Sequence, residues 1–127
     1  MNVIDSSAWL SYFAGDANAK IFSRPIEDIE KLIVPGITIT EVFKCIIRQR
    51  GEDMALEAIA HMEQGQVIAL DGSLAIDAAQ YGIEYKLPLA DSIIYATAKK
   101  CGAVIWTQDI DFKPLEGVKY YSKKKIT

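Results

Sequence analysis

Apolar residues along the chain alternate between short continuous runs and longer stretches at helical spacing. The runs NVID, LIVP, QVIAL, AVIWT and VKYY predict five strands. Between them, apolar residues recur every three or four positions, as in TITEVFKCIIRQRG, which predicts amphipathic helices. The runs LIVP and AVIW carry no polar face, which is typical of parallel strands covered on both sides. The pattern therefore predicts an α/β fold with helices on both faces of a parallel sheet.

Glycines and prolines predict where the helices begin and end. Gly51 ends one predicted helix, and Pro88 opens another, since proline suits a first helical turn. The stretch AKIFSRPIEDIEKL predicts a helix that is interrupted near Pro25. The chain has 127 residues, half of them hydrophobic, with no repeat and no linker-like segment. We therefore expect one domain over residues 1–127.

Charge and cysteine content limit the binding partners and the cellular compartment that we expect for this domain. The net charge of −3 gives no overall attraction to nucleic acid, so phosphate contacts would have to come from local basic residues. Cys45 and Cys101 are far apart and lack metal-site spacing, which favours a reduced pair. The N-terminus does not resemble a signal peptide and no run is long enough for a membrane span, so a cytoplasmic protein is expected. The candidate phosphate contacts are Arg48, Arg50, Lys86, Lys99, Lys100 and Lys123 to Lys125.

Acidic residues recur where predicted strands end and helices begin, and each has a local structural explanation. Asp5 can cap the helix that follows the first strand, and Glu41 stands three residues after a threonine, as in a capping box. Asp91 falls in a first helical turn, where the helix dipole stabilises negative charge. Asp109 and Asp111 can shape a turn through side-chain hydrogen bonds. Taken singly, these local roles are sufficient.

Taken together, the acids predict a metal site. Carboxyl ends of parallel strands meet at one edge of a sheet, so these side chains converge if the first and fourth strands are neighbours. Clustered carboxylates repel one another, and binding a cation relieves that repulsion. Oxygen ligands without histidine or cysteine suit Mg²⁺ or Mn²⁺. His61, the single histidine, is interpreted as a helix-surface residue rather than a ligand or base.

Four blocks, NVIDSS, TITEVFK, LPLADSIIYATA and VIWTQDIDF, resemble the signature blocks of PIN-domain ribonucleases. The likeness is greatest to the VapC-type toxins of toxin–antitoxin pairs, and it covers essentially the whole chain in the same order. It implies a PIN-like three-layer α/β/α sandwich with a central parallel sheet of about five strands. By this resemblance, the catalytic residues are Asp5, Glu41, Asp91 and Asp109, the metal ligands are Asp5, Asp91 and Asp109 with Asp111 as an accessory, and the supporting hydroxyls are Ser6 and Thr107.

The resemblance also implies an activity and partners. The implied activity is Mg²⁺- or Mn²⁺-dependent endonucleolytic cleavage of RNA by metal-activated water. The implied setting is a type II (VapBC) toxin–antitoxin system, in which the chain forms a homodimer and binds a cognate VapB-like antitoxin. Single-stranded or loop RNA is expected, because a recessed acidic pocket needs a flexible strand. One group of apolar residues fits either an antitoxin groove or ordinary core: Trp9, Tyr12, Phe13, Ile21 and Phe22.

Other functional classes compete with this interpretation. A haloacid-dehalogenase-type phosphotransferase needs an aspartate two residues after Asp5, where the chain has Ser7. A phosphorylation receiver needs an acceptor aspartate after a middle strand, and Asp71 lacks that setting. A catalytically silent PIN scaffold that binds protein or RNA is the main alternative. Loss of an acid would be its usual mark, and none of the four is missing.

Overall fold

The computed structural model describes residues 1–123, so the predicted phosphate contacts Lys124 and Lys125 lie outside the described residues. Five parallel strands form one sheet in the order β3-β2-β1-β4-β5. The strands are β1 (Asn2–Ile4), β2 (Leu32–Pro35), β3 (Gln66–Ile68), β4 (Val104–Thr107) and β5 (Val118–Tyr120). The helices are α1 (Ser6–Ala14), α2 (Ala19–Glu27), α3 (Gly36–Arg50), α4 (Glu52–Met62), α5 (Gly72–Tyr85) and α6 (Leu89–Cys101), with 3₁₀ turns at Ile29–Lys31 and Ile110–Phe112.

The first strand is the centre of the sheet, and this position decides where the acids meet. Val3 of β1 pairs with Ile33 of β2 on one side and with Ile105 of β4 on the other. The chain therefore reverses its strand order between β1 and β4, which opens a crevice at their carboxyl ends. The condition for convergence of the acids, that the first and fourth strands are neighbours, is met.

Two apolar cores cover the two faces of the sheet. Trp9, Phe22 and Met62 are fully buried between the sheet and helices α1 to α4. On the opposite face, Ile94 of α6 and Phe112 are buried against the alternate residues of the same strands. Each such side chain contributes about 1.5–3 kcal/mol by leaving water. The predicted three-layer α/β/α sandwich around a parallel sheet is confirmed.

Two local predictions differ from the structure. The helix α2 is not interrupted at Pro25 but continues to Glu27, because proline in the last turn removes only one bond before the helix ends. The capping box at the start of α3 is wrong. Thr38 donates its hydroxyl to the Pro35 carbonyl oxygen at 2.6 Å, and Glu41 lies in the second turn with another partner.

Two further expectations concern the cysteines and the membrane. Cys45 and Cys101 are free and sit on different helices, α3 and α6, as expected for a reduced pair. Among residues 1–123, no helix combines the length and the apolar character that a bilayer crossing needs.

Candidate active site

Asp5 follows β1 directly and is held by three donors. The backbone N–H of Ala8 and the hydroxyl of Ser7 donate to its Oδ1 at 3.0 and 2.8 Å, and Thr107 donates to its Oδ2 at 2.6 Å. Asp5 is thus the N-cap of α1, as its local interpretation predicted, and it is also tied to the end of β4. The side chain is 3% exposed, and burial raises the pKa of Asp5 to about 6 against the lowering effect of its hydrogen bonds.

Ser6 and Glu41 connect the first helix to the third. The Ser6 hydroxyl donates to Oε1 of Glu41 at 2.5 Å, so a serine in the first turn of α1 fixes a carboxylate in the second turn of α3. Both residues are half-buried and line the cavity that Asp5 lines. Because the crossover through β2 brings α3 beside α1, residues 35 positions apart in the chain meet.

A second group of carboxylates gathers beside Asp5. Asp91 in the first turn of α6 and Asp109 and Asp111 after β4 each place one carboxylate oxygen within 4.8 Å of the others. Burial, and then repulsion from Asp109, Asp5 and Glu41, raises the pKa of Asp91 to about 7. Within the described residues, none of these carboxylates forms an ion pair with a lysine or an arginine.

Thr107 joins the two groups. Its hydroxyl donates to Asp5 and accepts from the backbone N–H of Asp109 at 2.8 Å. Asp109 in turn accepts from the N–H of Asp111 at 2.9 Å and begins a 3₁₀ turn whose Phe112 is fully buried. Asp111 is exposed. Its backbone N–H stabilises the turn, and its carboxylate lies in the same group as those of Asp91 and Asp109.

The site opens into a cavity of about 680 Å³, which we call the acidic cavity. Its lining includes Asp5, Glu41, Asp91 and Asp109 together with the rings of Phe13 and His61. His61, predicted as a helix-surface residue rather than a ligand or base, is half-buried with its ring against Trp9, Tyr12 and Phe13. Its Nε2 lies 3.3 Å from the Tyr12 hydroxyl. His61 is nevertheless not part of the carboxylate group.

Some of the apolar residues that fit either an antitoxin groove or ordinary core belong to the core, and the others lie at its margin. Trp9 and Phe22 are fully buried and belong to the core. Tyr12, Phe13 and Ile21 are half-buried at the margin of that core, and Phe13 lines the cavity. Of this set, only Tyr12, Phe13 and Ile21 are therefore accessible enough to line an antitoxin groove.

The structure reveals a support for Asp5 that was not predicted from the sequence. Gln108 donates its backbone N–H to the Ser7 hydroxyl at 3.1 Å and its side-chain amide to the Ser7 carbonyl at 3.2 Å. Asn18, buried at the start of α2, donates to the Gln108 side chain at 2.7 Å. These partners are about a hundred positions apart in the chain, so no local spacing could have revealed them.

The predicted phosphate contacts are dispersed over the molecule. Arg50 and Lys123 line the cavity, whereas Lys100 pairs with Asp71 at 3.8 Å on the surface. Three further candidates are exposed and do not line this cavity: Arg48, Lys86 and Lys99.

The carboxylate group suits a divalent cation. Its donors are carboxylate oxygens alone, which hard cations such as Mg²⁺ and Mn²⁺ prefer. Burial and then the neighbouring carboxylates raise the pKa of Asp91, and a bound cation would favour its charged form instead. The residues present therefore fit a metal ion held by Asp91, Asp109 and Asp111.

The fold and this site together define an α/β domain with a carboxylate group at the switch point of its sheet. The PIN domain family model matches residues 3–117. The chain therefore belongs to the PIN domain family. A comparison with curated protein sequences found no match.

Solved structures with the same fold include toxins of toxin–antitoxin systems. A chain of a toxin–antitoxin complex from Klebsiella pneumoniae is 23% identical with a TM-score of 0.82, over 97% of this chain and 100% of that chain. VapC20 from Mycobacterium tuberculosis, described as a toxin cleaving the sarcin–ricin loop, is 20% identical with a TM-score of 0.74, over 90% and 94% of the two chains. DNA-bound VapBC from Salmonella typhimurium is 16% identical with a TM-score of 0.73, over 95% and 96%. These likenesses show that the fold is shared.

Proposed function

We propose that this chain, as one PIN domain over residues 1–127, is a metal-dependent endoribonuclease toxin of a type II (VapBC) toxin–antitoxin system. The observation that carries the proposal is the meeting of Asp91, Asp109 and Asp111 within 4.8 Å, beside a cavity that Asp5 and Glu41 also line. Membership of the PIN domain family and the shared fold with VapC-type structures support the same activity.

The residues divide the catalytic work between them. Asp91 and Asp109 would hold the cation, with the exposed Asp111 as an accessory ligand. A Mg²⁺ or Mn²⁺ ion held there would supply activation of water and stabilisation of the charge on the leaving oxygen of a phosphodiester. Asp5 orients the Thr107 hydroxyl, and with it the loop that carries Asp109. Glu41 uses Oε1 to accept from Ser6, which leaves its Oε2 as the atom that takes up a proton from the attacking water.

The substrate is single-stranded or loop RNA. The acids lie in a recessed cavity at the sheet edge, and only a flexible strand can bring a phosphodiester to that depth. Arg50 and Lys123 line the same cavity and supply phosphate contacts beside the acids. A duplex would keep its backbone outside this recess.

The proposal includes a VapB-like antitoxin, a homodimer and a cytoplasmic setting. The solved structures with this fold include toxin–antitoxin and VapBC complexes, which supports an antitoxin for this chain. Exposed apolar side chains on α5 and at the start of α6 supply a face for self-association. They are Ile76, Ile83 and Leu89, which are 63%, 82% and 79% exposed. Size-exclusion chromatography of Ile83→Glu beside the unchanged protein tests that face.

The alternative function is a silent PIN scaffold that binds protein or RNA without cutting. All four predicted catalytic acids are present, and the structure brings them to one cavity. That retention favours catalysis, because binding alone gives no reason to bring like charges together.

Cleavage of a mixed pool of structured and unstructured RNAs tests the proposal. Purified protein is incubated with Mg²⁺, Mn²⁺ or excess EDTA, beside Asp91→Asn and the surface control Asp77→Asn. We expect cutting that needs the cation, is lost in Asp91→Asn and is retained in Asp77→Asn, which lies on α5 away from the cavity. Cutting that persists in EDTA, or in Asp91→Asn, would overturn the assignment. No cutting by antitoxin-free protein would favour the silent scaffold.

A further inference from the structure

A second groove, of about 640 Å³, lies between α2 and the edge of the sheet formed by β4 and β5. We name it the basic groove because three of its lining side chains are cationic and none is acidic. It does not share a lining residue with the acidic cavity. Its lining residues are Lys20, Ile21, Ser23, Arg24, Trp106, Lys119 and Tyr121.

The cations of the basic groove are placed by regular structure. Lys20 and Arg24 are four residues apart on α2 and so project from one side of the helix. Lys119 on β5 places its Nζ 4.5 Å from the ring centre of Trp106. Trp106 is itself fixed, because its Nε1 donates to Asn2 at 2.9 Å. A cation is therefore held in a defined position on the sheet opposite two cations of the helix.

Among the described residues, none of these three side chains forms an ion pair with a carboxylate. Within residues 1–123 the structure contains a single ion pair, between Lys100 and Asp71, so Lys20, Arg24 and Lys119 have no acidic partner within 4.0 Å. The whole chain has 17 acidic and 14 basic residues, and a random patch of surface would be expected to carry acids as well. An acid-free groove with three cations is complementary to a polyanion.

The basic groove begins next to the residues that hold the acidic site. Asn18, at the N-terminus of α2, donates to Gln108 at 2.7 Å and to the Ser122 carbonyl at 3.0 Å. Tyr121, which lines the groove, donates its N–H to the Thr107 carbonyl at 2.9 Å. Gln108 lines the acidic cavity and its partner Asn18 is two residues before Lys20, so a hydrogen bond joins the margins of the two cavities.

We propose that the basic groove binds the sugar–phosphate backbone of single-stranded RNA whose neighbouring segment occupies the acidic cavity. The inference rests on the proposed function, because it takes RNA as the substrate. Lys20, Arg24 and Lys119 contact phosphates without reading base identity. Trp106 does not offer a free stacking face, since Lys119 covers it and Tyr121 lies parallel to it at 6.0 Å between ring centres. The groove therefore adds affinity and directs the strand, while sequence preference arises elsewhere.

Salt-dependent binding of a short, unstructured, fluorescent RNA tests the inference. The RNA is titrated in Mg²⁺ with two proteins. The parent carries Asp91→Asn alone, and the triple variant carries Lys20→Gln, Arg24→Gln and Lys119→Gln in addition. Losing three phosphate contacts is expected to weaken binding about ten-fold at low salt and to make the slope of log affinity against log salt shallower by about 2. The matched control is Lys31→Gln, an exposed lysine outside both cavities, which is expected to bind like its parent.

The outcomes separate this inference from the proposed function. Unchanged affinity and salt slope in the triple variant would overturn the groove assignment, while cleavage by the unchanged protein would leave the nuclease standing. Weaker binding in the triple variant of a protein that cuts no RNA would support the groove and reject the nuclease. Failure of the Asp91→Asn protein to bind RNA at all would overturn the groove. A polyglutamate peptide that displaces the RNA through the same three cations, and binds more tightly than RNA, would assign the groove to an acidic protein instead.

Discussion

Asp5 and Asp91 line the same cavity, yet the protein holds their carboxylates in opposite ways. Asp5 accepts hydrogen bonds from a backbone N–H and two hydroxyls, one of them from β4. Asp91 accepts no such hydrogen bond within the described chain, and its nearest charged neighbours are other acids. Burial raises the pKa of both carboxyls, but only Asp5 has donors that work against that effect.

This difference divides the site into a frame and a cation-binding group. The frame consists of Asp5 and its donors, and it fixes the start of α1 against the end of β4. The proposed cation-binding group consists of Asp91, Asp109 and Asp111, and a bound cation would relieve their mutual repulsion. Acids of one site can therefore be predicted together from the sequence and still differ in what they do.

The largest expected effect is on activity, from the cation-binding group. Asp91→Asn removes a charged ligand and should lower RNA cleavage on the order of 10³-fold, as loss of a central electrostatic group does. Asp111→Asn removes an exposed and accessory ligand, and about a ten-fold loss is expected. Initial cleavage rates and Mn²⁺ affinity by calorimetry, measured on both variants, check this order. Equal losses in the two variants would make Asp111 a full ligand.

The second prediction concerns stability and separates the frame from the cation-binding group. Asp5→Ala leaves the Thr107 hydroxyl and the Ala8 N–H without their acceptor and removes the helix cap, so the free energy of unfolding should fall by about 1–2 kcal/mol. Asp91→Ala breaks no such bond and relieves repulsion, so it should leave metal-free stability unchanged or raised. Urea unfolding in EDTA compares the two. A larger loss in Asp91→Ala would reverse the division.

The sequence predicted the sheet well because strand and helix patterns are local. Five apolar runs became the five strands, and the position of Asp5 after β1 fixed its capping role. The partner of Glu41 was mistaken, since the local threonine spacing favoured a cap whereas the tertiary partner is Ser6. The cations of the basic groove were also missed, although the four-residue spacing of Lys20 and Arg24 was readable. Their meeting with Lys119 depends on the pairing of β4 with β5, which no local pattern encodes.

The third prediction is the pH dependence of metal-free stability. Asp5 and Asp91 have raised pKa values in the folded protein, about 6 and about 7 against 3.8, so the folded state binds protons more tightly than the unfolded state. Stability should therefore rise as pH falls through the folded pKa values toward the unfolded one. When the pH is lowered from about 8 to about 5 in EDTA, we expect the free energy of unfolding to rise by about 1 kcal/mol. This corresponds to an increase in Tm of about 4 °C.

A cation should reverse this trend, because protons and metal compete for the same carboxylates. Mg²⁺ or Mn²⁺ is thus expected to raise Tm more at the higher pH than at the lower. Calorimetric scans with and without Mg²⁺ measure both effects. The Asp91→Asn variant should show a weaker pH dependence than the unchanged protein, and an identical dependence in the two would exclude Asp91 as the titrating group.

The smallest expected effect distinguishes two adjacent serines. Ser6 donates to Glu41, the proposed general base, whereas Ser7 donates to Asp5 and accepts from Gln108 within the frame. Ser6→Ala should reduce kcat about five-fold, the equivalent of one hydrogen bond of about 1 kcal/mol, with little change in Tm. Ser7→Ala should lower Tm instead, because it leaves the N–H of Gln108 without its acceptor. If Ser6→Ala destabilised the fold as much as Ser7→Ala, the frame would include Glu41. The hydrogen bond from Ser6 to the Glu41 carboxylate would then stabilise the fold rather than support catalysis.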